Sequence, residues 1–369
     1  MPLTDDSHTE AMTNPMVLPV GPPTQGERLE QHSGSDFSEL SRRIAAAGLL
    51  RRRPLYYTMR FGLVALALAG CVGGFLALGD SWGQVFVAVA LAVVFGQLAL
   101  AAHDLAHRQV FSRRRPSEAG GLLVADLLLG MSYGWWMNKH TRHHANPNHE
   151  GKDPDVSPDI LVWSRRQARR ARGLPRFIGK HQAVLFFPLL TLEGLNLSFS
   201  SFRALKSPPV KRTVLEGTLL VAHFVVYFGG LFAVLSPAKA LLFIAVHQAL
   251  FGIYLGSVFA PNHKGMPMIA EGMRLDFLRR QVLTSRNVRG GVLVDVFMGG
   301  LNYQIEHHLF PSMPTPALAR AQVITERYCA ELGVPYHRTG LIASHREALR
   351  HLRSVGEPLR APGGGLTGS

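Results

Sequence analysis

Four long apolar runs dominate the pattern of hydrophobic and polar positions along the chain. Each is close to the roughly 20 residues that an α-helix needs to cross about 30 Å of hydrocarbon. Short polar turns, Gly79-Asp80-Ser81 and Ser236-Pro237, join the first run to the second and the third to the fourth. The pattern predicts an all-α integral membrane protein with four transmembrane helices arranged as two hairpins. The predicted spans are residues 58–79, 82–102, 214–236 and 238–260.

Basic residues are concentrated on one side of these predicted hairpins. The side of the hairpins that holds the two turns carries a single basic residue, Lys239, whereas the segments on the other side are rich in Arg and Lys. By the positive-inside rule, both chain ends and the long loops are therefore predicted to be cytoplasmic. The basic segments are residues 113–115, 165–180, 211–212 and 274–289.

The net charge of +14 narrows the classes of partner. A basic balance is compatible with nucleic acid, an anionic bilayer or an acidic protein. Because 47% of the residues are hydrophobic and lie in long runs, we expect a lipid bilayer and an acidic protein partner, and no nucleic acid.

Three further apolar stretches are predicted not to cross the bilayer: residues 121–137 are interfacial or re-entrant, residues 183–202 lie on the membrane surface, and residues 291–301 are the third. If residues 121–137 crossed the bilayer, the histidines before and after them would lie on opposite sides. Residues 291–301 are too short to cross.

These patterns divide the chain into three parts. Residues 1–40 are polar and rich in Pro and Gly, and residues 353–369 end in a similar tail, so a disordered arm and tail are predicted. Residues 41–352 form the membrane domain. Within it, residues 103–213 and 261–352 are predicted to form a cytoplasmic helical cap.

Histidines cluster where the predicted spans reach the cytoplasmic interface. In two of the clusters, spacings of three or four residues place histidines on one side of a helical turn, and in the third Gln304 has the same spacings to the two histidines. The clusters are His103 and His107, then His140, His143 and His144, then His307 and His308. Seven neutral imidazoles exceed what one metal ion binds, so the clusters predict a histidine-ligated dinuclear metal site held by the cap. His263, just after the fourth span, is a candidate eighth ligand.

The motifs HxxxH, HxxHH and QxxHH formed by these clusters resemble the histidine boxes of the membrane fatty acyl desaturase family. The resemblance covers roughly residues 53–311 and includes Asn146-Pro147-Asn148 and Phe259-Ala260-Pro261-Asn262-His263. It is closest to the bacterial acyl-CoA, linoleoyl-CoA-type, branch. The resemblance implies that the histidines bind two iron ions. It also implies an O2-dependent reaction that introduces a cis double bond into a long acyl chain, carried as acyl-CoA or acyl lipid.

Two features qualify this expectation. Gln304 stands where many members of the family have histidine, and its carbonyl is a weaker ligand. Gln304 and Asn262 are therefore candidates for a ninth ligand or for holding a water molecule, and the position of the double bond stays open. The chain lacks the HPGG haem motif of fused cytochrome b5 domains, and Cys71 and Cys329 are too few for a Cys-ligated iron–sulfur cluster. We therefore expect a separate electron donor, of ferredoxin or cytochrome b5 type, with an NAD(P)H reductase.

Four carboxylates near the boxes are candidate acceptors for ring N–H groups of metal-binding histidines. Ordinary roles on a helix surface or in a turn are equally consistent with their positions. The four are Asp104, Asp153, Asp155 and Glu306.

Two other functions remain open from the residues. A hydroxylase or ketolase would use the same boxes but add oxygen to its substrate. A metal-binding membrane transporter or sensor would be expected to line its spans with ligands, whereas these histidines collect at one interface. A zinc hydrolase is disfavoured because the chain has no HExxH motif.

Overall fold

Helices account for most of the residues that the structure, a computed structural model, describes, namely 35–206 and 210–360. A π-helical segment (Leu123–Leu128) and a 3-10 turn (Pro154–Val156) interrupt the α-helices, and two three-residue strands pair in parallel. The predicted helical class is confirmed. In chain order the elements are α1 (Asp36–Ala46), α2 (Pro54–Leu78), α3 (Gln84–Ala106), α4 (Arg114–Leu122), α5 (Tyr133–Ala145), α6 (Arg165–Arg170), α7 (Gly173–Leu190), α8 (Glu193–Ala204), α9 (Thr213–Val234), α10 (Pro237–His263), α11 (Phe277–Leu283), β1 (Asn287–Arg289), α12 (Val292–Phe297), α13 (Gln304–Leu309), α14 (Thr315–Glu331), β2 (Arg338–Gly340), α15 (Leu341–Val355) and α16 (Glu357–Arg360).

Within the described residues, four helices are long and apolar enough to cross a membrane: α2, α3, α9 and α10. They coincide with the four predicted spans to within a few residues. The main difference is at two C-terminal ends, where α3 continues to Ala106 and α10 to His263. Two residues assigned to the cap, His103 and His263, therefore belong to the last turns of long helices.

Helices α3 and α10 form the inner pair of this group. Gly96 of α3 faces Tyr254 of α10, and a Cβ at position 96 would lie 2.2 Å from the tyrosine ring. The two helices approach this closely because glycine has no side chain. The outer helices α2 and α9 instead expose large apolar residues such as Leu66 and Val226, as expected for surfaces that contact lipid.

The stretches predicted not to cross the bilayer are interrupted helices. Residues 121–137 contain the π-helical segment and the start of α5, and residues 291–301 contain only the six-residue α12. Residues 183–202 fall across α7 and α8, which bend by 84° at the break between them. If α7 and α8 counted as one broken span, the described residues would hold up to five candidate spans.

The cap has its own apolar core, formed by α1, α11, α13 and α14. Leu40 of α1, Leu278 of α11, Ile305 of α13 and Leu318 of α14 are all buried in it. This core fixes the short helix α13, which carries two of the histidines, against the longer helix α14.

The predicted boundaries of the arm and the tail were wrong. Helix α1 begins at Asp36, inside the predicted arm, because Leu40 and Ile44 lie one turn apart and insert into the cap core. At the other end, α15 and α16 continue to Arg360, and Leu359 is buried in a cluster near α6. Composition averaged over these segments hid the short amphipathic pattern. The rest of both predictions, residues 1–34 and 361–369, lies outside the described residues.

Candidate metal centre

The ends of several helices meet on one side of the bundle and bring all the predicted metal-binding histidines together. Helices α3 and α10 contribute their C-terminal turns, α5 its last two turns, and α13 its whole length. The histidines are His103 and His107 at the end of α3, His140, His143 and His144 on α5, His263 at the end of α10, and His307 and His308 on α13. Segments separated by more than 160 positions in the chain thus form one site.

Five of these histidines form one group, in which one nitrogen of each ring lies within 4.8 Å of the others. The Nε2 atoms of His107 and His140 are 2.7 Å apart, those of His140 and His144 are 3.1 Å apart, and those of His144 and His307 are 3.2 Å apart. His103 completes the group. Metal–nitrogen bonds of about 2.0–2.1 Å separate neighbouring ligand atoms of one ion by about 2.9–3.4 Å. The spacing of the five rings is close to that of ligands around one ion.

The other three histidines form a second group beside the first. His143, His263 and His308 each place a ring nitrogen within 4.8 Å of the other two, and the Nε2 atoms of His143 and His263 are 3.3 Å apart. Gln304 lies at the edge of this group, with its Nε2 2.9 Å from Nε2 of His263. Its Oε1 accepts a hydrogen bond from Asn262 Nδ2 (3.0 Å). Gln304 thus faces the three-histidine group with its NH2 rather than its carbonyl, and Asn262 reaches the group only through Gln304.

The two groups share a boundary. The rings of His144 and His308 stack with their centroids 4.2 Å apart, although they belong to different groups. His143 and His144 are adjacent in α5 and point into different groups. The arrangement of five and three imidazoles side by side is compatible with two neighbouring metal ions.

A tight loop after α5 orients His143. Asp153 Oδ2 accepts hydrogen bonds from His143 Nδ1 (3.0 Å) and from the backbone N–H of Asn148 (2.7 Å), and Oδ1 accepts from the N–H of Asp155 (2.9 Å). With its Nδ1 proton donated to the carboxylate, His143 presents the Nε2 lone pair to the centre of the group. Lys139 pairs with Asp155 (2.9 Å), which also lies 3.4 Å from His143 Nδ1.

Hydrogen bonds from α11 and its C-terminal end orient the other two members of the three-histidine group. His308 Nδ1 donates to Gln281 Oε1 (3.0 Å), and Gln281 Nε2 donates to the carbonyl of His144 (3.0 Å). His263 Nδ1 donates to the carbonyl of Thr284 (3.0 Å). In each ring, Nε2 is left as the acceptor: that of His308 has no partner among the described residues, and that of His263 faces Gln304 Nε2.

Several buried ring nitrogens have no hydrogen-bond partner among the described residues. They are both nitrogens of His103, Nδ1 of His144, Nδ1 of His307 and Nε2 of His308. An unpaired polar atom in a protein interior costs about 1–3 kcal/mol. A metal ion in each group would satisfy Nε2 of His308 and one nitrogen of His103, and the imidazole donor set fits such an ion. The Nδ1 atoms of His144 and His307 would not bind it, because these two rings face the group with Nε2.

Electrostatics keep most of the site in the protonation state that binds metal. Burial lowers the pKa of five histidines well below its usual value, and the neighbouring imidazoles lower it further. The five are His107, His140, His144, His307 and His308. Burial also acts to lower the pKa of His143, but the charges of Asp153 and Asp155 outweigh it and raise that pKa. Neutral imidazoles are the form that ligates metal ions.

Two of the four predicted carboxylate acceptors lie elsewhere. Asp104 pairs with Arg60, and its Oδ1 is 3.8 Å from His103 Nδ1, beyond hydrogen-bond distance. Glu306 accepts from the hydroxyl of Tyr336 (2.7 Å) and from Asn287 Nδ2 (2.7 Å) instead. Both residues are immediate neighbours of a metal-binding histidine in a helix, and residues i and i+1 do not face each other. Asp153 and Asp155 can reach a histidine of α5 because they lie on a loop that folds back against this helix.

Some residues that contact the site could not be recognised from the motifs. Trp136 lies in the stretch 121–137, which was not predicted to take part in the site, yet its ring stacks on His140 with centroids 4.4 Å apart. The i, i+4 spacing of this pair on α5 was the available signal. Gln281 and Thr284 gave no such signal, because they are brought to the histidines only by the packing of α11.

Comparison with known proteins agrees with this geometry. The family model described as fatty acid desaturase matches residues 80–340. An acyl-lipid (9-3)-desaturase of Physcomitrium patens is 30% identical over 334 residues, covering 87% of this chain and 63% of that protein. A Delta(8)-fatty-acid desaturase of Euglena gracilis is 28% identical, covering 82% of this chain and 74% of that protein. A Delta 8-(E)-sphingolipid desaturase of Emericella nidulans is 27% identical, covering 92% and 65%.

The chain therefore belongs to the fatty acid desaturase family. The predicted family and enzyme class are confirmed, and the assignment to its bacterial acyl-CoA branch stays a prediction. The chain spans about two thirds of the length of the moss and fungal relatives.

Proposed function

We propose that this protein is an O2-dependent desaturase that introduces a cis double bond into a long acyl chain at a diiron centre. The observation that carries the proposal is the convergence of His103, His107, His140, His144 and His307 in one group and of three further histidines in a second. The family of the chain and the names of its relatives support the class of reaction.

Iron suits both groups of ligands. Neutral imidazole binds iron well, and the two cysteines, Cys71 and Cys329, are not in either group. When bound, the iron pair would supply the activation of O2 needed to remove one hydrogen from each of two adjacent acyl carbons. O2 takes up those two hydrogens with two electrons and two protons from a donor, and leaves as two molecules of water.

The residues of the chain contribute position and the exclusion of water. Asp153, Gln281 and Thr284 fix the rings of the three-histidine group, and burial keeps bulk water from the ring nitrogens. Next to the five-histidine group, His103 contacts the apolar rings of Trp136 (centroids 5.9 Å apart) and Phe259 (6.5 Å). We place the reacting part of the acyl chain against this apolar side.

The proposal also covers the carrier of the acyl chain, the electron donor and the side of the membrane on which the metal site lies. The acyl chain would be presented as a CoA thioester or an acyl lipid, since relatives include acyl-lipid, fatty acid and sphingolipid desaturases. Electrons would come from a separate ferredoxin or cytochrome b5 type protein with an NAD(P)H reductase. The positive-inside pattern of the basic loops supports a cytoplasmic location for both termini and the metal site.

Expression in a host of known lipid composition, followed by mass spectrometry of its fatty acids, tests the proposal. The expected product is a fatty acid two hydrogens lighter than a host species, with a cis double bond, and it should be absent with the His307→Ala variant. A product that has gained oxygen would indicate a hydroxylase or ketolase instead. Metal accumulation with no change in any fatty acid would indicate a transporter or sensor.

A further inference from the structure

A basic groove with a volume of about 600 Å³ runs between α7 and α15. Arg346, Arg350 and Arg353 line one wall, because positions i, i+4 and i+7 share one face of a helix. Lys180 lies on the opposite wall, and Arg360 of α16 closes one end. A volume of this size is typical of a site for one small ligand.

The cations of the groove have no acidic partner within the described part of the chain. Arg360 donates to the backbone carbonyls of Lys180 (2.9 Å) and Arg353, which leaves its charge uncompensated. The two glutamates of this region are used elsewhere, Glu347 by Arg286 and Glu357 by Arg165. Like charges this close repel one another, so a bound anion would stabilise the arrangement.

Apolar side chains line the groove between the cations and continue into a surface suited to lipid. They are Ala183 and Val184 of α7 and Leu349 of α15. Val184 is 79% exposed, and along α7 the large side chains of Phe177 and Phe187 are exposed as well. A ligand in this groove would contact both positive charges and apolar side chains.

A packed layer separates the groove from the metal centre. Phe186 of α7 is buried against Ala260 of α10 and Leu352 of α15, and no histidine of the two metal-binding groups lines the groove. A molecule bound here is therefore not the chain that reacts.

We propose that the groove between α7 and α15 binds one anionic phospholipid of the surrounding bilayer, with its phosphate among the arginines and its acyl chain along Val184 and Phe187. The basic wall gives the preference for negative charge, since each basic residue near an anionic membrane surface contributes about a factor of five in affinity. The apolar side chains of the groove and the exposed apolar face of α7 favour a lipid over a soluble phosphate compound. The site is independent of the proposed reaction.

The test uses the purified full-length protein in micelles doped with equal amounts of phosphatidylglycerol and phosphatidylcholine. Native mass spectrometry should show one retained phosphatidylglycerol per chain for the wild type. Arg350→Gln combined with Arg353→Gln should weaken this binding about 30-fold, from the loss of two charges. Arg350→Lys combined with Arg353→Lys keeps the charges and should bind more tightly than the glutamine pair.

The matched control is Arg320→Gln combined with Arg327→Gln, which removes two exposed charges from α14, outside the groove. Its lipid binding should equal that of the wild type, and all variants should elute from size exclusion like the wild type. Equal retention of the two lipids, or equal loss in the control and the groove variants, would overturn the proposal. So would displacement of the lipid by coenzyme A or inorganic phosphate, which would identify a site for soluble anions.

Discussion

Replacing Asp153 by Asn tests how the loop after α5 prepares the three-histidine group. The carboxylate accepts three N–H donors, with one oxygen taking His143 Nδ1 and the N–H of Asn148 and the other taking the N–H of Asp155. An asparagine has one oxygen and one NH2 group, so it would set an NH2 against at least one of these donors. Whichever way the amide turns, part of the support of His143 or of the loop is lost.

The size of the effect follows from the bonds involved. A hydrogen bond to a charged group contributes about 1.5–3 kcal/mol, and the loss of such a support for a ligating histidine typically weakens metal binding about 10–100-fold. We therefore expect Asp153→Asn to weaken the binding of the ion in the three-histidine group by about 1.4–2.7 kcal/mol. The five-histidine group, which contains no contact to Asp153, should keep its affinity.

Competition with a metal chelator of known affinity measures this difference. At a chelator concentration at which the wild type retains two irons per chain, Asp153→Asn should retain one. Asp159→Asn, a charge-matched change at an exposed position of the same loop, should behave like the wild type. Two irons retained by Asp153→Asn, or both lost together, would refute the account of the loop.

Three further predictions concern the metal groups, the inner helix pair and pH. His307→Ala should remove the iron of the five-histidine group and abolish desaturation while the protein still fractionates with the membrane; near-normal turnover would exclude His307 from the ligand set. Gly96→Leu should overpack the contact between α3 and α10 and destabilise the protein by about 1–3 kcal/mol. The thermal midpoint in detergent should therefore fall, and an unchanged midpoint would contradict that packing. Burial acts to raise the pKa of Glu347, but hydrogen bonding to His337 and the charge of Arg286 outweigh it and lower that pKa. Its stabilisation should be complete above its usual pKa of 4.5 and be lost as the pH falls below it, so wild type and Glu347→Gln should differ in thermal midpoint at neutral pH and converge in acid.

The spans were predictable from the sequence because hydrocarbon thickness sets helix length directly. Short amphipathic helices were not. Helix α1 owes its position to Leu40 and Ile44, and their partners in the cap core, such as Leu278 and Ile305, are more than 200 residues away. The bend between α7 and α8 likewise depends on packing, since Gly252 of α10 lets the carbonyl of Leu190 approach.

For the candidate site, helical spacing predicted which histidines could act together but not what holds them. His140 and His144 belong to one group and His143 to the other, a division that follows from how α10 and α13 dock onto α5. The supports of the rings come from Gln281 and Thr284, which are distant in the chain and carry no motif. Among the supports of the rings, only residues in loops near the boxes, such as Asp153, could be predicted from the sequence.

Anomalous scattering at the iron edge tests the central claim most directly. In a crystal of the iron-loaded protein, the account predicts two peaks, one among His103, His107, His140, His144 and His307 and one among His143, His263 and His308. A single peak, or two peaks that lie outside these groups of nitrogens, would contradict it.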